Sequence, residues 1–265
     1  MPALALGFYL VGDNSWIWWL QGIQSALIVY HAYILIRYTK FWRQEKYEKA
    51  KGASDSIKVI SCNVLQFNTA YHRFIELIQK EQPHIFLTME SDAAWEKALR
   101  VLESDYPNFE KVTVHPPSPT EEENSKERDG DLLSVAKRVR DYKMPVVVTG
   151  DFNNVAWAKS SLLFKKTSKL IDARIGRGIL STFHANYWFF RVPLDLLFHS
   201  PSVFIDKLFI YPSVGSDHFP MGCTFFIDRY SEEQAEDIEH LEAGDMADVN
   251  EMIAEGKEEE SDNRD

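Results

Sequence analysis

At 265 residues, 45% of them hydrophobic, the chain has enough material for one sizeable core with appendages. Its two cysteines, Cys62 and Cys223, both sit in apolar runs and read as small buried hydrophobes, which excludes a disulfide framework and a thiolate zinc site. The net charge of −11 is local: residues 231–265 hold fifteen Asp and Glu against Lys257 and Arg264, so the preceding 230 residues carry about +2 and lack the broad basic surface of a nucleic-acid binder.

In chain order, the first feature is Trp16 to Ile36, WIWWLQGIQSALIVYHAYILI, 21 residues without an Asp, Glu, Lys or Arg. As a helix it spans roughly 30 Å, one bilayer crossing. Three tryptophans cluster at one end, and Arg37, Lys40, Arg43, Lys46, Lys49 and Lys51 follow the other, a belt-and-flank pattern that fits a membrane span better than a buried core helix. Gln21, Gln24 and His31 leave a helix lying in the interface open. A cleaved signal peptide fits poorly, because nothing basic precedes the stretch and no small-residue cleavage site follows it. Ala3 to Val11 is apolar but too short to span alone. If the basic flank sets orientation, the rest of the chain faces the cytoplasm, and an earlier helix would reverse that. Residues 1–45 therefore read as a membrane-anchor region and 46–56 as a polar linker.

From residue 57 the chain alternates strands and helices. Ile57 to Val64 reads as a strand, and Ala70 to Lys80 as a helix with Phe74, Leu77 and Ile78 on one face. Pro83 breaks the pattern, Ile85 to Met89 is a second strand, and Ala93 to Glu103 is helical. Lys111 to Val114 reads as extended, HPPSPTEEENS as a loop, and Leu132, Leu133, Ala136 and Val139 as the apolar face of another helix. Val146 to Thr149 is a buried strand, and shorter strand-like runs lie near Ser181, Leu194, Phe204 and Met221. The pattern predicts an α/β domain over 57–230 with a β-rich second half. The acidic residues 231–265 read as a solvated tail, disordered or weakly helical.

Polar side chains gather at the strand ends. ISCNV holds Asn63, FLTME ends at Glu90, VTVHPP at His115, VVVTGDFN at Asp151 and Asn153; VPLDLLF contains Asp195, and VGSDHFP offers Asp217 and His218. Any one of these is ordinary as a turn former or helix cap. As a set they supply oxygen and nitrogen donors with no thiolate, which suits a hard cation such as magnesium bound by one or two carboxylates and phosphate oxygens. With a histidine beside an aspartate, the set points to metal-assisted phosphoester hydrolysis.

GDFN, GSDHFP, SCNV and TME, in their places, resemble the endonuclease/exonuclease/phosphatase superfamily over about Ile57 to Ile227. The surrounding NVLQFN, ESDAAW, RIGRGILSTFHA and GSDHFP resemble its membrane-anchored bacterial branch. The resemblance implies a deoxyribonuclease I-like four-layer α/β/β/α sandwich behind a membrane helix, and a location at the bacterial inner membrane with the side of the catalytic domain open. It implies Mg2+ or Mn2+ held at Asn63, Glu90 and Asp217, with Glu90 the principal carboxylate. It also implies catalytic roles for His115, Asp151, Asn153, Asp195 and His218: Asp151 and Asn153 orient water and phosphate, His115 contacts the phosphate, and Asp195 orients His218. Whether Asp151 or His218 takes the proton stays open.

Two departures stand out. PLDL has Leu196 where the branch carries a polar residue. Tyr106 is followed by His115 after only eight residues, where roughly fifty are usual, so some central strands are expected to be missing and sheet edges exposed. The sequence thus supports a membrane-tethered phosphoester hydrolase whose substrate is a nucleic acid, a lipid head group or a small phosphoester, with a non-catalytic membrane-bound remnant of the same fold as the alternative. A Ser or Cys nucleophile is disfavoured, since no GxSxG elbow occurs. Lys165, Lys166 and Lys169, like Arg174 and Arg177, read as solvated faces. No protein partner is implied.

Overall fold

In the computed structural model the described residues are 15–42, 54–112, 125–231 and 233–262. They fall into two units, one of residues 15–42 with 175–178 and one of the described residues between 54 and 174 and between 179 and 262. In the first unit, α1 (Ser15–Ile36) is a single helix whose stretch Trp18–Ile36 is long and apolar enough to cross a membrane, with a mean hydropathy of 1.2 and none of it buried.

The second unit is built on two sheets. The first has the order β2 (Ile85–Met89), β1 (Ile57–Asn63), β7 (Met221–Ile227), β6 (Val203–Ile210); the second has β3 (Val147–Asp151), β5 (Asp195–His199), β4 (Ile171–Asp172). β1 runs parallel to β2 and antiparallel to β7, while β3 runs antiparallel to β5.

Strand alternation sorts the side chains. Ile60 and Cys62 of β1 face a cluster with Phe74, Ile78, Trp95 and Leu102, the apolar faces of α2 (Tyr71–Glu81), α3 (Ala93–Leu99) and the 3-10 turn Arg100–Leu102. Val59, of opposite parity, joins Leu197, Met221, Cys223 and Phe225 in a cluster between the sheets. Ser61 and Asn63 share the parity of Val59 and so point inward, and Asn63, at the strand's last position, reaches the rim.

On the outer side of the second sheet, Phe198 of β5 meets Phe164 of α5 (Lys159–Ser168), their ring centroids 5.0 Å apart. The remaining helices are α4 (Ser125–Arg140) and α6 (Asp245–Asp262), which pack on each other. Two sheets with helices outside them match the expected sandwich. Among the described residues the second sheet has three strands, and β2 lies at an edge of the first with Ile85 and Leu87 exposed.

Several expectations need correction. The described residues of the tail, expected to be solvated and either disordered or weakly helical, take the helical alternative but are not wholly solvated: α6 is a regular helix with Val249 fully buried, and Gln234 donates to the carbonyls of Pro201 and Val203. Gly130 and Gly256 explain how two polar helices come together, for a Cβ on Gly130 would stand 3.2 Å from Gly256 Cα and 3.0 Å from Met252 O. Lys165 and Lys166 are not a solvated face: Lys165 is 3% exposed and pairs with Glu239 at 2.8 Å, and Lys166 pairs with Glu242 and Asp245. Arg174 is buried against Asp172. The helix expected to reach Glu103 turns into a 3-10 turn at Arg100. Lys111 and Val112 belong to no strand, and the run near Ser181 contributes only isolated bridges at Phe183.

Candidate active site

The strand directions bring five chain segments to one rim. β1 ends there at Asn63, β2 at Met89 before Glu90, and β3 at Asp151, while β5 begins there with Asp195 directly across from Asp151 in the ladder. His218 lies in the turn that leads into β7, held by bridging to Phe183.

Two backbone features let the segments meet. A Cβ on Gly150 would lie 3.0 Å from Met89 Sδ, and the adjacent Asp151 N–H donates to that sulfur at 3.1 Å, so glycine here lets the ends of β3 and β2 approach. Glu90 and Asn153 have φ of 54° and 49°, left-handed values that non-glycine residues adopt at a cost of about 1–3 kcal/mol and that cluster at functional sites. Asn tolerates this conformation; for Glu90 it re-aims the side chain immediately past the strand.

The contacts form one continuous network. Asn63 Nδ2 donates to Glu90 Oε1 at 2.8 Å and to Asp151 Oδ2 at 3.1 Å, while its Oδ1 accepts from Leu65 N–H. Asp151 Oδ2 stands 3.4 Å from His218 Nε2, and Asp151 Oδ1 accepts from the Asn153 N–H at 2.8 Å. On the other side of the ring, His218 Nδ1 lies 2.8 Å from Asp195 Oδ2. The side chains of His218, Asp151 and Asp195 are 4%, 6% and 2% exposed, so these charges interact in a largely dry setting where they are strengthened. Burial, then the neighbouring Asp195 charge, raise the proton affinity of Asp151 above the ordinary carboxylate value, against the pull of His218, Asn153 and Asn63. Burial alone would lower that of His218, but the hydrogen bond and charge of Asp195, with the charges of Asp151 and Asp217, outweigh it and the net shift is upward.

Seven of the eight predicted residues are described, and six of them, Asn63, Glu90, Asp151, Asn153, Asp195 and His218, join this network. Asp217 adjoins it, its Oδ1 lying 3.2 Å from Ser216 Oγ. His115 lies outside the described residues. Leu196 is fully buried on the outward parity of β5, opposite Asp195, so its departure from the branch pattern leaves the site's own face untouched.

Sequence reasoning missed two supporting residues. Ser216, fully buried, donates to Asn63 O at 2.7 Å and accepts from His218 N–H, tying the two ends of the network together. Thr182 accepts the Asp195 N–H through its hydroxyl. Ser216 was readable from its place inside GSDHFP; nothing local marks Thr182.

The residues fit a hard divalent cation by their donor chemistry. Glu90 and Asp151 both lie within hydrogen-bond reach of one amide nitrogen, and three carboxylates, Asp151, Asp195 and Asp217, act on a single imidazole across this rim, a surplus of negative charge. Among the described residues no three His, Cys, Asp or Glu form a closed ligand cluster, but magnesium-type ions need only one or two carboxylates and keep several waters.

Two facing sheets clad with helices, with a carboxylate–imidazole network at one rim, define a hydrolytic α/β sandwich. The chain belongs to the endonuclease/exonuclease/phosphatase family, whose model matches residues 60–218. That family's scaffold serves phosphoester hydrolysis, and its members generally use divalent metal ions. Among solved structures, the chain is similar to an endonuclease/exonuclease/phosphatase family protein from Bacteroides thetaiotaomicron, with 16% identity, coverage of 67% of this chain and 99% of that one, and a TM-score of 0.51. It is likewise similar to the endonuclease/exonuclease/phosphatase from Bacteroides vulgatus, with 14% identity, 66% and 100% coverage, and a TM-score of 0.52. At these identities the likeness carries the fold alone. No curated protein matches the chain.

Proposed function

We propose that the protein is a divalent-metal-dependent phosphoester hydrolase tethered to a membrane by α1. The observation that carries this reading is His218, seated between Asp195 and Asp151, with Asp151 in turn sharing the Asn63 amide with Glu90. Glu90, flanked by Asp151 and with Asp217 adding charge to the same rim, would hold Mg2+ or Mn2+. Bound there, the ion would neutralise the phosphate and help stabilise charge on its oxygens.

Asn63 acts as a positioning residue in this scheme, because its nitrogen rather than its oxygen faces the two carboxylates. Asp195 fixes the His218 ring through Nδ1, leaving Nε2 directed at Asp151 and the rim. A water at the rim gives its proton to the Asp151 carboxylate as its oxygen bonds to phosphorus. The ester P–O bond breaks, and the leaving oxygen takes up a proton from solvent or from the imidazolium. His218, carrying its proton on Nε2, and Asn153 face the phosphate oxygens. His115 is proposed as a further phosphate contact.

The test uses the full chain in detergent. Hydrolysis of a soluble bis-aryl phosphodiester is measured with magnesium, with manganese and after chelation, for the wild type and Asp151→Ala. Metal-dependent turnover lost in Asp151→Ala supports the reading; a folded, metal-saturated sample without turnover leaves the non-catalytic remnant. The nucleic-acid, lipid and small-phosphoester classes are compared in the same assay.

A further inference from the structure

Between Asp172 and Asp195 the chain has no acidic residue, and within this stretch stand Tyr187, Trp188, Phe189 and Phe190 in succession, followed directly by Arg191. All four are exposed, Trp188 by 84% and Phe189 by 72%. Isolated exposed aromatics are ordinary, but four in a row make a contiguous apolar tip of the kind that marks an interaction site.

The tip stands on an ordered stem. Phe183 N–H donates to Val192 O at 3.0 Å with a return bond from Val192 N–H, and His184 N–H donates to Phe190 O at 3.2 Å. The stem is rooted in the catalytic rim: Ala185 N–H donates to Asp217 O at 2.6 Å, and the Phe183 ring lies 5.0 Å from that of His218. At its base the Arg191 guanidinium sits 4.9 Å from the Phe219 ring centroid. Tyr and Trp rings, apolar in body and polar at one edge, favour the headgroup level of a bilayer, and the exposed Arg191 beside the tip, with no acidic residue between Asp172 and Asp195, meets anionic headgroups without repulsion. Independently, the same chain carries in α1 a wholly unburied apolar helix of bilayer-crossing length.

We propose that the aromatic tip at residues 187–190 docks into the headgroup layer of a lipid bilayer and seats the His218 rim against it. The docking stands on the loop itself. Its consequence, that phosphoesters borne by lipids are the substrates presented to the rim, rests on the hydrolase reading above.

The full chain is reconstituted in vesicles of phosphatidylcholine and phosphatidylglycerol, and a polarity-sensitive fluorophore is attached to Trp188→Cys. The native Cys62 and Cys223 are buried, so labelling is confined to the new thiol. The expected result is a blue-shifted emission severalfold brighter than that of the same probe on Asp206→Cys, an exposed site of β6, and quenching by nitroxide-bearing lipids. Water-like emission at position 188 overturns the proposal. So does a response to a single-stranded oligonucleotide in place of lipid, which would make the tip a base-stacking platform, or one that follows protein concentration at fixed lipid, which would make it a contact between copies.

In the activity arm, Trp188→Ser combined with Phe189→Ser is expected to lower hydrolysis of a vesicle-borne phosphodiester severalfold without changing the rate on the soluble bis-aryl substrate. Equal loss on both substrates counts against docking. A wild type silent on the soluble substrate while the probe still shifts defeats the hydrolase reading and leaves the docking intact.

Discussion

Two charge clusters join distant segments of this domain, and they are composed in opposite ways. Around α5, each cation meets acids: Lys159 pairs with Asp248, Lys165 with Glu239, and Lys166 with Glu242 and Asp245. At the rim, by contrast, Asp151, Asp195 and Asp217 gather about one imidazole, Glu90 is joined to them through the Asn63 amide, and beside that single imidazole the carboxylates' partners are amide and backbone donors. Pairing sign for sign suits a cluster that only has to hold a helix in place. A cluster left negative in a dry setting is costly to fold unless it serves a cation or a proton, which is why such imbalance points to chemistry.

This contrast can be broken from either side. Asp151→Ala removes the group shared by both halves of the rim network, and hydrolysis should fall about 10²–10⁴-fold while the melting temperature changes little. Asp195→Asn should act on the same rate through the orientation of His218, with a loss of about 10²-fold; a pH–rate profile displaced from that of the wild type distinguishes this positioning role from loss of fold. On the paired side, Gly130→Val forces α4 and α6 apart and should cost about 1–3 kcal/mol, read as a lowered thermal midpoint. Lys165→Met leaves the partly exposed Glu239 without this cation and should cost about 1 kcal/mol, with hydrolysis in the surviving folded protein unchanged.

The smallest effect is a dependence on pH. The Glu242 backbone N–H, then Lys166, hold the Asp245 carboxyl below its ordinary value of 3.8. A depressed acid contributes stability that is complete above its unfolded value and fades as pH falls through the folded one. The seating of α6 should therefore loosen only below about pH 3.8 on the acid side, seen as faster hydrogen exchange in Asp245–Asp262. Lys166, raised above 10.5, sets the opposite limb: its contribution fades as pH climbs beyond that value.

What was legible in the sequence follows the strength of the local signal. β1, β2 and β3 announced themselves as β-branched runs, and α2 through Phe74 and Ile78 on one face; each falls within two residues of its expected bounds. The rim residues were legible because acids and amides at strand ends are out of keeping with the runs that precede them. α5 was not, because Ser160, Ser161, Thr167 and Ser168 are buried beside Leu163 and Phe164, so its inner face does not look apolar. α6 was hidden by its acidity, although Val249, Met252, Ile253 and Gly256 repeat at helical spacing. Contacts such as Thr182 to Asp195 depend on tertiary approach and leave no local trace.

The middle of the first sheet has a temporal consequence. β1 pairs with β7, Ile57 across from Phe225, and Ser54 is bonded to Ile227 just beyond them. During synthesis the earliest strand of the domain must therefore wait for nearly the last one, its unsatisfied edge open while the intervening residues emerge. Completion of the sheet falls late in the synthesis of the domain, which makes this seam, at the end of β1 away from the rim, a natural place for holding chaperones to act.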